Sequence, residues 1–132
     1  MKRRIAALLL TTLALLLLAG CHKKAQEYHC VSSALYVGNE LLNGPTNTVA
    51  LQSRLTIDGK DLTFDYNGDT YTATIESGSV YWDETPNLVA DATPAFSDIQ
   101  ILDDGAAATL NLHCYFDDGM VTVRLNFENN DN

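Results

Sequence analysis

LTFDYNGDTYTATIESGSVYW, residues 62–82, is the stretch on which two incompatible folds compete. Read as a calcium loop, Asp65, Asn67, Asp69 and Glu76 fall at positions 1, 3, 5 and 12, where an EF-hand places oxygen ligands. That loop needs glycine at position 6, where Thr70 stands, and a helix on each side. Read as hairpins, every residue has a place. Leu62, Phe64 and Tyr66 alternate with Thr63 and Asp65, and Tyr71, Ala73 and Ile75 alternate with Thr72 and Thr74. Asn67-Gly68 and Ser77-Gly78 supply the positive φ that tight turns require. Period-two alternation rich in β-branched and aromatic residues buries one face and wets the other. The hairpin reading prevails. Calcium at Asp65, Asn67, Asp69 and Glu76 stays as a weak alternative, and no metal or cofactor is expected.

The same alternation runs outward in both directions. Val49, Leu51, Leu55 and Ile57 carry it upstream; Leu110, Leu112, Cys114, Phe116 and then Val121, Val123, Leu125, Phe127 carry it downstream. Asp58-Gly59, Asp104-Gly105 and Asp118-Gly119 mark further turns. Eight strands are predicted, near 28–37, 49–57, 61–66, 70–76, 79–83, 98–102, 107–116 and 120–127. Hairpins in series make an antiparallel meander, so the fold class is all-β. The architecture is a barrel or a two-sheet sandwich. The single β-domain is expected over 28–128, with a frayed tail at 129–132. Residues 84–97, holding Pro86, Leu88 and Pro94, are long for a loop and read as a crossover or a cap on an open barrel end.

The N-terminus has a different composition. Lys2, Arg3 and Arg4 precede an apolar run from Ile5 to Leu18, about 21 Å long as a helix and short for a membrane span of about 30 Å. Leu18-Ala19-Gly20-Cys21 follows. This pattern resembles the lipobox signal of bacterial lipoproteins, a resemblance confined to residues 1–21. It implies cleavage of 1–20, a diacylglycerol on the Cys21 sulfur and further acyl chains such as palmitate. Residues 21–27 then form a lipidated N-terminus and short tether. The expected place is the extracytoplasmic face of a bacterial membrane, held there by two or more chains. His22, where an Asp would favour inner-membrane retention, resembles outer-membrane sorting in a host that has one.

Charge and sulfur bound the chemistry. Without residues 1–20, five cations face 17 acids, a formal charge of −12, which repels nucleic acid and anionic head groups. With Cys21 lipidated, Cys30 and Cys114 remain as an even pair in an oxidising compartment. A disulfide between them is expected, the alternative being two separately buried thiols. His22, His29 and His113 carry no triad signature, and no serine sits in a nucleophile elbow. The paired acids Asp83-Glu84, Asp103-Asp104 and Asp117-Asp118 read as solvated turns.

An enzyme is not expected, and a surface hydrolase is the least favoured reading. The leading one is a non-enzymatic envelope accessory that binds a partner protein or a small ligand. The alternative is a carrier that takes a small ligand or ion in a barrel cavity. Tyr81 and Trp82, with Leu88 and Phe96 from the long loop, are the candidate recognition surface. One of Tyr81 and Trp82 must face the core and the other the solvent, since strand neighbours diverge.

Overall fold

The computed structural model describes residues 24–43, 48–117 and 119–131. Nine strands run in chain order: β1 Gln26–Val37, β2 Glu40–Asn43, β3 Arg54–Asp58, β4 Asp61–Tyr66, β5 Asp69–Glu76, β6 Ser79–Trp82, β7 Thr93–Leu102, β8 Ala107–Phe116 and β9 Gly119–Asn129. All pairings are antiparallel. Successive strands pair from β3 through β9, and β1 pairs with both β3 and β9, which closes an eight-stranded barrel. The barrel of the two expected architectures is therefore the one formed. β2 lies outside the closed ring, paired to the far end of β1 as a short hairpin.

Alternation fills this barrel. Leu62, Phe64, Leu110 and Leu125 are wholly buried, with Leu55, Phe127 and Tyr28 barely exposed around them. The middle of the barrel is thus a packed core, and open space is confined to its ends and its wall. Turn chemistry sets the register. Asn67 and Gly68, then Ser77 and Gly78, all have positive φ, the signature of two-residue type I′ turns, whose twist matches that of the strands they join.

Four differences from the predicted boundaries exceed a single residue or change an element's type. Residues 49–51 are not the start of a strand: Thr48–Leu51 form a helical turn, α1. Ser53 closes it, its N–H and its hydroxyl both donating to the Ala50 carbonyl. β1 begins at Gln26, so residues 26 and 27 are strand rather than tether. Asn129 is not tail: it ends β9, is buried, and donates to Gln26 Oε1 at 2.6 Å. β7 begins at Thr93, so the long connection shrinks to residues 83–92. Within it Pro86 and Ala92 are buried and Leu88 packs on the core, which makes it a cap over one barrel end.

The expected Cys30–Cys114 disulfide does not form; both cysteines are free and buried. The register explains this. Through β9, Cys30 is level with Phe127 and hence Ala108, while Cys114 is level with Val121. Six residues separate Ala108 from Cys114 on β8, about 20 Å of strand. A disulfide needs Cα atoms within about 7 Å. The period-two reading had put Cys114 on the inner face, and it is there, in a different layer from Cys30. Burial pushes both thiols up, and the Cys30 S–H donates to the Ser32 carbonyl. We expect Cys30 and Cys114 to resist alkylation in the native protein and to be alkylated fully on unfolding without reductant, as mapped by peptide mass.

Three phenols, Tyr28 buried and Tyr66 and Tyr71 half-buried, behave alike. Burial raises Tyr28, Tyr66 and Tyr71, with Cys30 and Tyr71 adding to the rise at Tyr66 and Asp69 and Glu84 adding at Tyr71. Each group gives up its proton more readily in the unfolded chain than in the fold. Their contribution is therefore complete below the ordinary thiol value of 9.0 and is lost as pH rises past it and past the ordinary phenol value of 10.0. Chemical denaturation from pH 8 to 11 should show flat stability, then a fall beginning near pH 9.

Candidate functional site

The barrel wall is weakest between β6 and β7. Nine residue pairs join β7 to β8, yet only two join β6 to β7: Ser79 with Asp98, and Val80 with Ser97. The cause is local to β7. The register slips between Pro94 and Phe96, leaving Ala95 as the extra residue of a β-bulge. A bulge bends and twists its strand, and Pro94 has no N–H to offer a ladder. β7 therefore swings away from β6 just beyond Ser97, and the two strands splay.

The splay opens a cleft of about 520 Å³, lined by residues 79–82, residues 95–98 and Thr85. Its layout follows from the register. Ser79 and Asp98 face each other on the outer surface at the closed end. Continuing that register, Tyr81 faces Phe96 across the gap, and both are more than half exposed. One layer deeper, Trp82 takes the position opposite Ala95 and forms the floor. Its ring packs on Phe64 and Tyr71, with centroids 6.0 and 6.4 Å away. Its indole N–H donates to Ser97 Oγ at 2.8 Å, a bond that crosses the gap where backbone pairing stops. Asp83 N–H donates to the Thr72 carbonyl on the β5 side, so by strand alternation the backbone groups of Trp82 point into the cleft.

A polar network on the outer face of β7, β8 and β9 holds the cleft wall. Asp98 Oδ1 accepts from Asn111 Nδ2 at 2.8 Å, and Asp98 Oδ2 accepts from His113 Nε2 at 2.7 Å. His113 Nδ1 lies 2.8 Å from Thr122 Oγ1. Arg124 Nε donates to Asn111 Oδ1, and the guanidinium lies over the Tyr36 ring. Phe96 stacks on His113, centroids 4.3 Å apart. Asp98–His113–Thr122 has the connectivity of a nucleophilic relay. However, Thr122 is only 7 % exposed and lies in the middle of a strand, so its hydroxyl offers no approach to an acyl group. What the network does is fix the Asp98 carboxylate and the Phe96 ring.

Three of the four predicted recognition residues thus meet at one place: Tyr81, Trp82 and Phe96 line the cleft. Leu88 does not join them. It lines a smaller opening of about 290 Å³ at the capped barrel end, with Ala50, Tyr66, Leu35 and Val123. Asp98 and Ser97 were missed; the only signal for them was their period-two phase within the expected strand 98–102 and just before it. Asp65, Asn67 and Asp69 sit around the β4–β5 turn, with Asp65 Oδ1 taken by Thr70 Oγ1 at 2.7 Å. Glu76 stands at the other end of β5, seven residues and roughly 23 Å away, so the structure does not bring it to them. His29, bonded to Asn130 Oδ1, is likewise six positions from His113 along β9. Cys21 lies outside the described residues. Among the described residues no group of His, Cys, Asp or Glu is arranged to hold a metal ion, and no helix is long and apolar enough to cross a membrane.

No protein-family model matches the chain, and no curated protein matches it.

Proposed function

We propose that this barrel is a non-catalytic binding module, held at the outer face of a bacterial membrane by lipid on Cys21, that takes a small ligand in the cleft between β6 and β7. The observation that carries the reading is the splayed seam. A bulge and a proline open the wall where two exposed aromatic rings, a tryptophan floor and an oriented carboxylate converge. Its size falls within the range of about 300–1,000 Å³ common for ligand pockets. The packed barrel middle favours a site in the wall over one on the axis.

The orientation suits an anchored domain. Only residues 22–25 separate Cys21 from β1, a reach of at most about 14 Å. Lys24, Gln26, Gly59 and Gly105 share one barrel end, which in this reading is the end toward the lipid. β7 runs from Thr93 to Leu102 toward the same end, so the cleft closes at Asp98 on the membrane side and opens at Phe96 away from it. The acidic surface keeps the domain off anionic head groups.

Two measurements test this. Mass spectrometry of the protein from its native membrane should find an acylated Cys21 at the N-terminus. Amide NMR titration with a mixed fragment set should shift Ser79–Trp82 and Ala95–Asp98. Shifts confined to Ser33, Leu35 and Leu88 would move the site to the capped end and favour a carrier with an internal cavity. Absence of any shift at the seam would remove the proposal.

A further inference from the structure

We propose that the ligand of this cleft is an organic cation, its ammonium or guanidinium group seated between Tyr81 and Phe96 against Asp98; the inference rests on the cleft being the binding site. Two features of the site converge on positive charge. The register, continued past Val80 and Ser97, sets the two exposed rings on opposite sides of the gap, and aromatic rings attract a cation held near them. At the closed end the Asp98 side chain is held from two directions, by Asn111 and by His113. It lines the cleft, and among the described residues its ion-pair partner is His113, with no Lys or Arg beside it. Arg124, the nearest cation in the network, is spent on Asn111 Oδ1 and the Tyr36 ring. An anionic ligand would meet the Asp98 carboxylate with no Lys or Arg lining the cleft. A cation between the two rings with a carboxylate beside it draws on both features.

The same cationic group exists on free amines and on arginine or lysine side chains, so the test separates the two sources. Trp82, the only tryptophan, is the floor of the cleft and reports occupancy by its fluorescence. The full-length protein is titrated with choline and with its neutral isostere 3,3-dimethyl-1-butanol, then with arginine amide and citrulline amide, then with Gly-Arg-Gly. Each cation should act at a concentration at least about tenfold lower than its neutral counterpart, the scale of a partly desolvated cation–π contact with a carboxylate added. Gly-Arg-Gly tighter than arginine amide assigns the cation to a polypeptide; equal or weaker binding assigns it to a free molecule. Tyr81→Leu, at an exposed position that leaves the core intact, and Asp98→Asn should each remove most of the preference. Equal responses to charged and neutral members would overturn the inference and leave the cleft as the site. So would fragments that shift the seam amides while no cation does. A preference unchanged in both variants would place the cations elsewhere on the acidic surface and overturn it as well.

Discussion

Phe64→Ala should cost about 3–5 kcal/mol of folding free energy, measured by urea denaturation, and lower Tm by roughly 15 °C or more. Phe64 is wholly buried and sits among four aromatic rings, with centroids to Tyr66, Tyr71, Trp82 and Phe127 between 5.7 and 6.5 Å. Truncation loses the transfer free energy of the ring and leaves a void. In a helical bundle neighbouring elements can slide to fill such a void. In a closed barrel the ladder on both sides of β4 fixes the wall, with five residue pairs to β3 and six to β5. Relaxation is limited, so the upper part of the range applies. With total stability of about 5–15 kcal/mol for a domain of this kind, the variant stands near the edge of folding. Phe96→Ala is the control. The ring is 53 % exposed, stacks only on His113, and should change stability by less than about 1 kcal/mol. Similar losses for the two variants would contradict the assignment of which aromatic faces inward.

That assignment was legible in the sequence because a strand has only two faces. Leu62, Phe64, Leu110, Leu112, Leu125 and Phe127 all lie where alternation put them. The turns were legible too, since Asn67-Gly68 and Ser77-Gly78 admit few conformations. Alternation failed where it had no register to work with. Val49 and Leu51 are two apart, as in a strand, but Ser53 offered the backbone a local partner and a helical turn formed instead. Thr93–Ser97 hid its strand behind Pro94 and a bulge, the very features that open the cleft. The cysteine pair shows the limit most plainly. Compartment, parity and inner-face phase all agreed on a bridge. None of them contains the one quantity that decides it, the axial offset between β1 and β8, which is set by pairing through β9. The recognition residues were half legible for the same reason. Tyr81 and Phe96 could be placed near a long loop, but their meeting across a seam depends on where β6 and β7 stop pairing.

Trp82→Ala should be the second most damaging change, at about 3–5 kcal/mol, because it removes both a core ring and the side-chain tie across the seam. The two contributions separate by substitution. Trp82→Phe keeps a ring against Phe64 and Tyr71 and leaves the Ser97 hydroxyl, 5 % exposed, without its donor. Ser97→Ala leaves the indole N–H without its acceptor. Each should cost about 1–3 kcal/mol, the desolvation penalty of one orphaned polar group. The double variant orphans neither, so its cost should fall short of the sum by about 1 kcal/mol or more, a coupling that a double-mutant cycle reads directly. Strict additivity would mean that the bond contributes nothing. The local consequence is sharper than the global one. β6 and β7 share only two residue pairs, so the Trp82–Ser97 bond is a large part of what closes the barrel there. Hydrogen exchange in Ser97→Ala should quicken first at Val80 and at Ile99, whose N–H donates to the Gly78 carbonyl, while β8 and β9 stay protected. A seam that opens at these amides before any other would show that the wall holding the cleft is also the place where the barrel is least closed. A binding site there draws its adaptability from the missing ladder and its shape from one indole–hydroxyl bond.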